Sequence, residues 1–189
     1  ELITSKPKTA YKETITVRAD GHHRHKKQTG GAGQFGEVYL RIEPLPSDHP
    51  DGFEFVSEVV GGSVPRQFWP AVEKGVRQVM ADGAIAGYPM QGIRVALYDG
   101  KYHDVDSKEI AFVTAGRKAF IDAVQKARPK LLEPFVMVEI TAPSRYLGDL
   151  AGHLSTKRGR VQDTLMMGED MCIVRAQAPL SELQSYSNE

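Results

Sequence analysis

Two stretches rich in glycine and charge carry the residue types that could do chemistry: His25 to Gly36 (HKKQTGGAGQFG) and Lys101 to Glu109 (KYHDVDSKE). In the first, Gly30, Gly31, Gly33 and Gly36 permit positive backbone angles and close approach of another chain. A nucleotide-cradling loop is one reading, but no Gly-Lys-Ser/Thr follows. The glycines also lead into a strand, without the strand-to-helix setting that a dinucleotide loop requires. A plain hairpin turn is a second reading. The third is contact with RNA, because Lys26, Lys27 and Gln28 offer cations to phosphate and an amide to base edges or 2′-hydroxyls. In the second stretch His103 stands between a turn and a helix start, beside Asp104 and Asp106. A metal site would need more ligands than these, and Asp106 is also placed to cap the helix. A general base would need a nucleophile and an oxyanion site, and neither is legible. What remains is an exposed polar tip that meets a partner, or ordinary surface. His22, His23 and His25 form a third group that could hold a metal, but they read as lacking carboxylate or thiolate partners, and solvent is the plainer reading. The expectation is a chain with no catalytic residue, no metal and no cofactor of its own.

Charge reads the same way. The 24 Lys and Arg balance 24 Asp and Glu, so no general basic excess argues for nucleic acid. Locally the balance differs. Arg18, Arg24, Lys26 and Lys27 face only Asp20 within residues 18–27, and Lys157, Arg158 and Arg160 form a second cluster. These are either solvated faces or spots that touch phosphate. With 41% hydrophobic residues the chain has the composition of a folded globular protein. No apolar run approaches the roughly 18–20 residues that span a bilayer, and ELITSKPKTAYKE has no signal-peptide pattern, so no membrane role or export is expected. The single cysteine, Cys172, suits a reducing cytoplasm and reads as a small core residue in MCIV.

The elements that must position these residues alternate in period. Tyr11 to Arg18, Gln34 to Glu43, Phe53 to Val60 and Met90 to Tyr98 read as strands, with Asp99-Gly100 a tight turn. Phe68, Trp69, Val72, Val76, Val79 and Met80 fall at helical spacing, which predicts a helix over 67–81 stopped by Gly83, with Trp69 a core anchor. A second helix is predicted over 107–127, capped by Asp106 with Glu109 reaching back. Its Ala111, Ala115, Ala119 and Ala123 would let it lie close to a sheet. Arg128-Pro129 ends it, and a domain boundary is expected near residues 129–132. Beyond it come a strand (133–141), a helix on Leu147, Leu150, Ala151 and Leu154 closed by Gly159, strands near 160–166 and 171–178, and a helix after Pro179. The fold class expected is α+β in two domains: 1–128, with a mostly antiparallel sheet packed by two helices, and 129–189, a ferredoxin-like split βαβ sandwich lacking its last strand. The missing strand would leave an open edge, which reads as a piece of a larger protein.

HKKQTGGAGQFG, FWPAVEKGV, AIAGYP, YHDVDSKE, LLEPFVMVEI and APLSELQSY, in this order, resemble the C-terminal part of translation elongation factor G across essentially the whole chain. The resemblance implies that family's fourth domain followed by most of its fifth. It implies an arm that enters the small-subunit decoding site during translocation, where its tip contacts tRNA and mRNA and keeps them from slipping back. The matching tip residues are Gln28, Thr29, Gly30, Gly31, His103, Asp104 and Val105, with Lys26 and Lys27 as phosphate contacts. The fifth domain would face the GTPase-associated rRNA of the large subunit, with Lys157 and Arg158 against phosphate. GTP and Mg would belong to a GTPase domain elsewhere in the parent protein, and the implied setting is a cytoplasmic monomer on the ribosome. The histidine-rich RADGHHRH, and Lys108 where the family has a small residue, point to a paralogue. Ribosome-recycling and ribosomal-protection factors use the same fold, and a free-standing RNA-binding module is the alternative outside the family.

Overall fold

The computed structural model describes residues 9–28 and 31–183. The chain forms two compact units, one spanning Lys12–Leu132 and the other built on the chain from Glu133 onward.

The first unit is a four-stranded sheet with two helices. β1 (Lys12–Thr14) is short, and β2 (Ala19–Lys27), β3 (Gln34–Pro44), β4 (Phe53–Ser57) and β5 (Ile93–Lys101) make the sheet in the order β2-β3-β5-β4. All its pairings are antiparallel except β4 with β5. Helices α1 (Trp69–Asp82) and α2 (Glu109–Lys126) supply the buried layer, and β6 (Lys130–Leu132) pairs with β1. The mostly antiparallel sheet packed by two helices is thus as expected.

Several details differ from the sequence reading. The run from Tyr11 to Arg18 is not one strand. Thr16 and Val17 turn their N–H groups onto the Ala127 carbonyl at the end of α2, so pairing stops at Thr14. The next strand is instead the histidine-rich segment itself. Asp99 and Gly100 lie inside β5, not in a turn. A Cβ on Gly100 would sit 2.2 Å from the Glu37 carbonyl oxygen, so this glycine serves close strand approach. Gly36 is likewise a packing glycine, in β3 against Ala111 of α2, where a Cβ would be 3.1 Å from the Ala111 carbonyl carbon.

The packing layer is built on small residues. Ala111, Ala115, Ala119 and Ala123 of α2 are all fully buried. A Cβ on Gly21 of β2 would lie 2.1 Å from the Ala119 carbonyl oxygen, so backbone meets backbone there. The two helices cross in the same manner: a Cβ on Gly75 would be 2.2 Å from the Val113 carbonyl oxygen, and one on Gly116 would be 2.7 Å from that of Val72. Phe68 stacks on Phe112 with ring centroids 4.5 Å apart. Trp69 is only half-buried and donates its indole N–H to the Val64 carbonyl at 2.9 Å. Gly83 ends α1 with φ 85°, its N–H bonded to Val79.

Glu13 anchors β1. Its carboxylate, 1% exposed, accepts N–H bonds from Ala84 and Ile85 on one oxygen and from Ala86 and Tyr88 on the other. Burial works to raise its pKa, but the four backbone donors outweigh it and hold the carboxyl below its ordinary 4.5.

In the second unit β7 (Phe135–Pro143), α3 (Leu147–Thr156), β8 (Arg160–Met167), β9 (Met171–Pro179) and the short α4 (Leu180–Leu183) follow in order. The sheet order is β7-β9-β8, all antiparallel, which is the split βαβ arrangement. Leu154, Cys172, Val174 and Ala176 form its core, so the lone cysteine is a packing residue. Among the described residues β7 pairs with β9 on one edge only.

Two outcomes follow for stability. Gly21→Ala should cost about 1–3 kcal/mol, or more if α2 is pushed off the sheet, read by denaturant unfolding. The lowered Glu13 pKa stabilises the fold fully above pH 4.5, and that contribution is lost as pH falls through the folded-state value. Glu13→Gln should remove this part of the acid sensitivity and cost about 3 kcal/mol at neutral pH, because donors formerly matched to a carboxylate lose their partner.

Candidate RNA-contacting tip

The end of the β2–β3 hairpin and the loop from β5 to α2 meet at one end of the first unit. The Phe35 N–H donates to the Asp106 carbonyl at 2.9 Å, and the Ser107 hydroxyl donates to the Phe35 carbonyl at 3.0 Å. The same hydroxyl accepts the His103 N–H at 2.8 Å, while Ser107 returns its own N–H to the His103 carbonyl at 3.0 Å. Ser107 therefore fastens the second loop both to itself and to β3, the second strand of the hairpin.

This corrects the expected capping box. α2 begins at Glu109, and its N-cap is Lys108 in extended conformation with no side-chain cap bond. Asp106 is committed elsewhere. Its carbonyl holds Phe35, and its carboxylate lies against Gly33, where a Cβ would come within 2.5 Å of Oδ1. Glu109 is the first helical residue and pairs with Lys74 of α1 at 3.3 Å.

His103 projects from this frame with 56% of its side chain exposed. Its Nδ1 accepts N–H bonds from Val105 and Asp106, both at 3.3 Å. In the neutral ring the proton then sits on Nε2, which is left as a donor for a partner. Asp104 and Val105 are exposed, Val105 by 77%. Gln28 and Gly31 are exposed as well, Gly31 with φ 117°, while Thr29 and Gly30 lie outside the described residues.

Between the loops is a cleft of about 240 Å³. Arg24, Lys26 and Lys27 line it from β2, Gln28 from just beyond that strand, and Lys101, Tyr102, His103 and Asp106 from the second loop. The Arg24 guanidinium lies over the Phe35 ring, 5.3 Å from its centroid. Phe35 and Tyr102 do not stand out in the sequence as site residues, and Arg24 stands out only as one member of the basic run 18–27. The signal that could have found Arg24 is strand alternation: with Ala19–Lys27 read as β2, Arg24 and Lys26 share a face.

That alternation also divides the histidines. His22 lies on the open face, bonded to Glu37 at 2.7 Å and stacked on Tyr39 with ring centroids 4.2 Å apart. His23 faces α2, where burial and the nearby Lys118 push its pKa down, and the His25 ring bonds Gln34 at 2.9 Å. Among the described residues no group of three His, Cys, Asp or Glu could hold a metal ion. No helix there is long and apolar enough to cross a membrane.

The second basic cluster belongs to the other unit. Arg158, with φ 55°, forks onto both oxygens of Glu133 and also bonds Glu182 at 3.0 Å. Those bonds raise its already high pKa. Lys157 is half-buried at the end of α3, where its N–H donates to the His153 and Leu154 carbonyls.

Removing the Ser107 hydroxyl tests the clamp. Ser107→Ala should cost about 1 kcal/mol and speed hydrogen exchange at the His103 amide, while the amides bonded to Glu13 keep their protection.

Comparison with known proteins now adds identity. Residues 7–128 match the family described as "Elongation factor G, domain IV", and residues 130–189 match "Elongation factor G C-terminus". Elongation factor G of Petrotoga mobilis is 48% identical over 182 residues, covering 96% of this chain and 26% of that protein. An elongation factor G-like protein of Thermotoga maritima is 46% identical over 188 residues, covering 100% of this chain and 27% of that protein. A crystal structure from Thermus thermophilus superposes with a TM-score of 0.83 at 37% identity, over 97% of this chain and 27% of that one. This chain thus spans about a quarter of its relatives' length, and it belongs to the elongation factor G family, carrying the regions that family calls domain IV and the C-terminus.

Proposed function

We propose that the chain is the ribosome-binding part of a translational GTPase that promotes tRNA–mRNA translocation, with residues 1–128 as the arm and 129–189 as the domain that follows it. The tip formed by Gln28, Thr29, Gly30, Gly31, His103, Asp104 and Val105 enters the small-subunit decoding site and contacts tRNA and mRNA. The observation that carries this reading is the joining of the two loops through Phe35 and Ser107, which makes one exposed surface from two distant segments. Such a surface, with cations beside it and His103 presenting a donor, suits sugar–phosphate backbone. The second unit faces the GTPase-associated rRNA of the large subunit. Lys157 supplies phosphate contact there, and Arg158 joins it by exchanging its carboxylate partners for phosphate. GTP and Mg bind a separate domain of the longer protein, so this part acts without catalysing, as a monomer in the cytoplasm.

The similarity to an elongation factor G-like protein favours a second reading, a paralogue of the translocase, and for such a paralogue we propose ribosome recycling as the task. In the full-length protein, His103→Ala should slow single-round translocation about tenfold or more, the loss expected when a hydrogen bond to a charged group goes. An unchanged rate would sink the decoding-site role. Ribosome splitting that depends on the arm, with no translocation, would select the recycling reading.

A further inference from the structure

The cleft between the loops has a composition that the exposed tip residues do not explain. Four cations line it, Arg24, Lys26, Lys27 and Lys101, against the single carboxylate of Asp106. Lys26, Lys27 and Lys101 make no side-chain ion pair or hydrogen bond among the described residues. Arg24 is no closer than 3.9 Å to its nearest carboxylate, Glu37, and its guanidinium is instead held over Phe35. Gathering four cations is unfavourable unless an anion joins them. Phe35, Tyr102 and His103 also line the cleft, the Phe35 and His103 ring centroids 6.4 Å apart.

Size narrows the ligand. At about 240 Å³ the cleft is smaller than the roughly 300–1,000 Å³ of sites that enclose a whole small molecule. It has room for a phosphate and its sugar, with the attached base left at the rim. Tyr102, which lines the cleft and is 44% exposed, offers an aromatic surface to such a base. A base can turn onto such a ring only from a single strand, since duplex bases stay stacked.

We propose that this cleft seats one phosphodiester of single-stranded RNA, with Arg24 of β2 and Lys101 of β5 gripping the phosphate and Tyr102 receiving the neighbouring base. The proposal rests on the RNA-contacting reading of the tip, and adds to it a specific pocket with residues outside the protruding loop ends. β2 supplies Arg24 and β5 supplies Lys101, and the strand between them holds both in register, since Glu37 of β3 is the cross-strand partner of each.

The test is binding of a fluorescein-labelled uridine hexamer to the 189-residue chain at several salt concentrations. Arg24→Gln and Lys101→Gln should each weaken binding and lower the slope of log affinity against log salt by about 0.7, the contribution of one phosphate contact to a single strand. Tyr102→Ala should weaken binding about fivefold or more with the slope unchanged. Lys74→Gln, on the outer face of α1, should change neither. Both cations are exposed, and thermal melts of the variants should match the parent. Wild-type affinity and slope in both cation variants would overturn the proposal, as would an equal effect of Lys74→Gln. Inorganic phosphate competing as well as the hexamer would identify a free-anion site and also overturn it. Failure here with His103→Ala still slowing translocation would remove the cleft and leave the decoding-site role standing. The reverse pattern would keep the cleft and remove that role.

Discussion

The approach of α2 to the sheet is the constraint on which the rest of the first unit depends. Where Gly21 faces Ala119 and Ala123, and Gly36 faces Ala111, helix backbone and strand backbone are nearly in contact, with no side chain between them. That proximity sets the height of α2 over β2 and β3. It therefore sets where the start of α2 arrives relative to the start of β3. Asp106 and Ser107 reach Phe35 at hydrogen-bonding distance because the helix that follows them cannot sit higher. The tip is thus a consequence of core packing, and its loops inherit their geometry from the alanines of α2 and the glycines of β2 and β3 that face them.

The neutral total charge is resolved by the same architecture. On the open face of the sheet, arginines and carboxylates are woven together: Arg41 with Asp20 and Glu58, and Arg94 with Glu43, Glu54 and Glu58. Exposed pairs of this kind contribute little stability each. Their effect is to consume positive charge over most of the sheet. Within the cleft the balance shifts, with Arg24, Lys26, Lys27 and Lys101 beside the one lining carboxylate of Asp106. A neutral protein thereby presents a local cationic end, and this suits contact with one RNA site better than adhesion to RNA at large.

The second unit treats its cations differently. Arg158 occupies a left-handed backbone position after α3 and ties Glu133, at the start of the unit, to Glu182 in α4. With a core of only Leu154, Cys172, Val174 and Ala176 and a few half-buried neighbours, such ties between chain ends help define the small sandwich. Whatever Arg158 does toward RNA competes with that duty.

Most of this architecture was legible in the sequence where one residue pattern has one structural solution. The spacing of Val72, Val76 and Val79, the alanines four apart in α2, and the alternation in β7 and β9 can bury apolar surface in one way only, so elements and fold class follow. The ordered motifs carried the family likewise. The histidine-rich strand was not legible, because polar side chains on both faces hide a period of two; it is a strand only because Gly21 admits α2 and β3 supplies partners. The capping box failed for a related reason. Asp106, Ser107 and Glu109 have the right types and spacing for it, but a hairpin more than 70 residues earlier in the chain offers Asp106 and Ser107 other partners. Loops meet by tertiary contact, and no local rule encodes a neighbour so distant. The sequence by itself determined most of the core, the polar character of the tips and the family, whereas Ile110, at helical spacing for the buried stripe of α2, is 53% exposed. Only the tertiary structure decided that the two tips are one surface and that Arg24, Phe35 and Tyr102 belong to it, because packing distances alone bring those side chains to a common cleft.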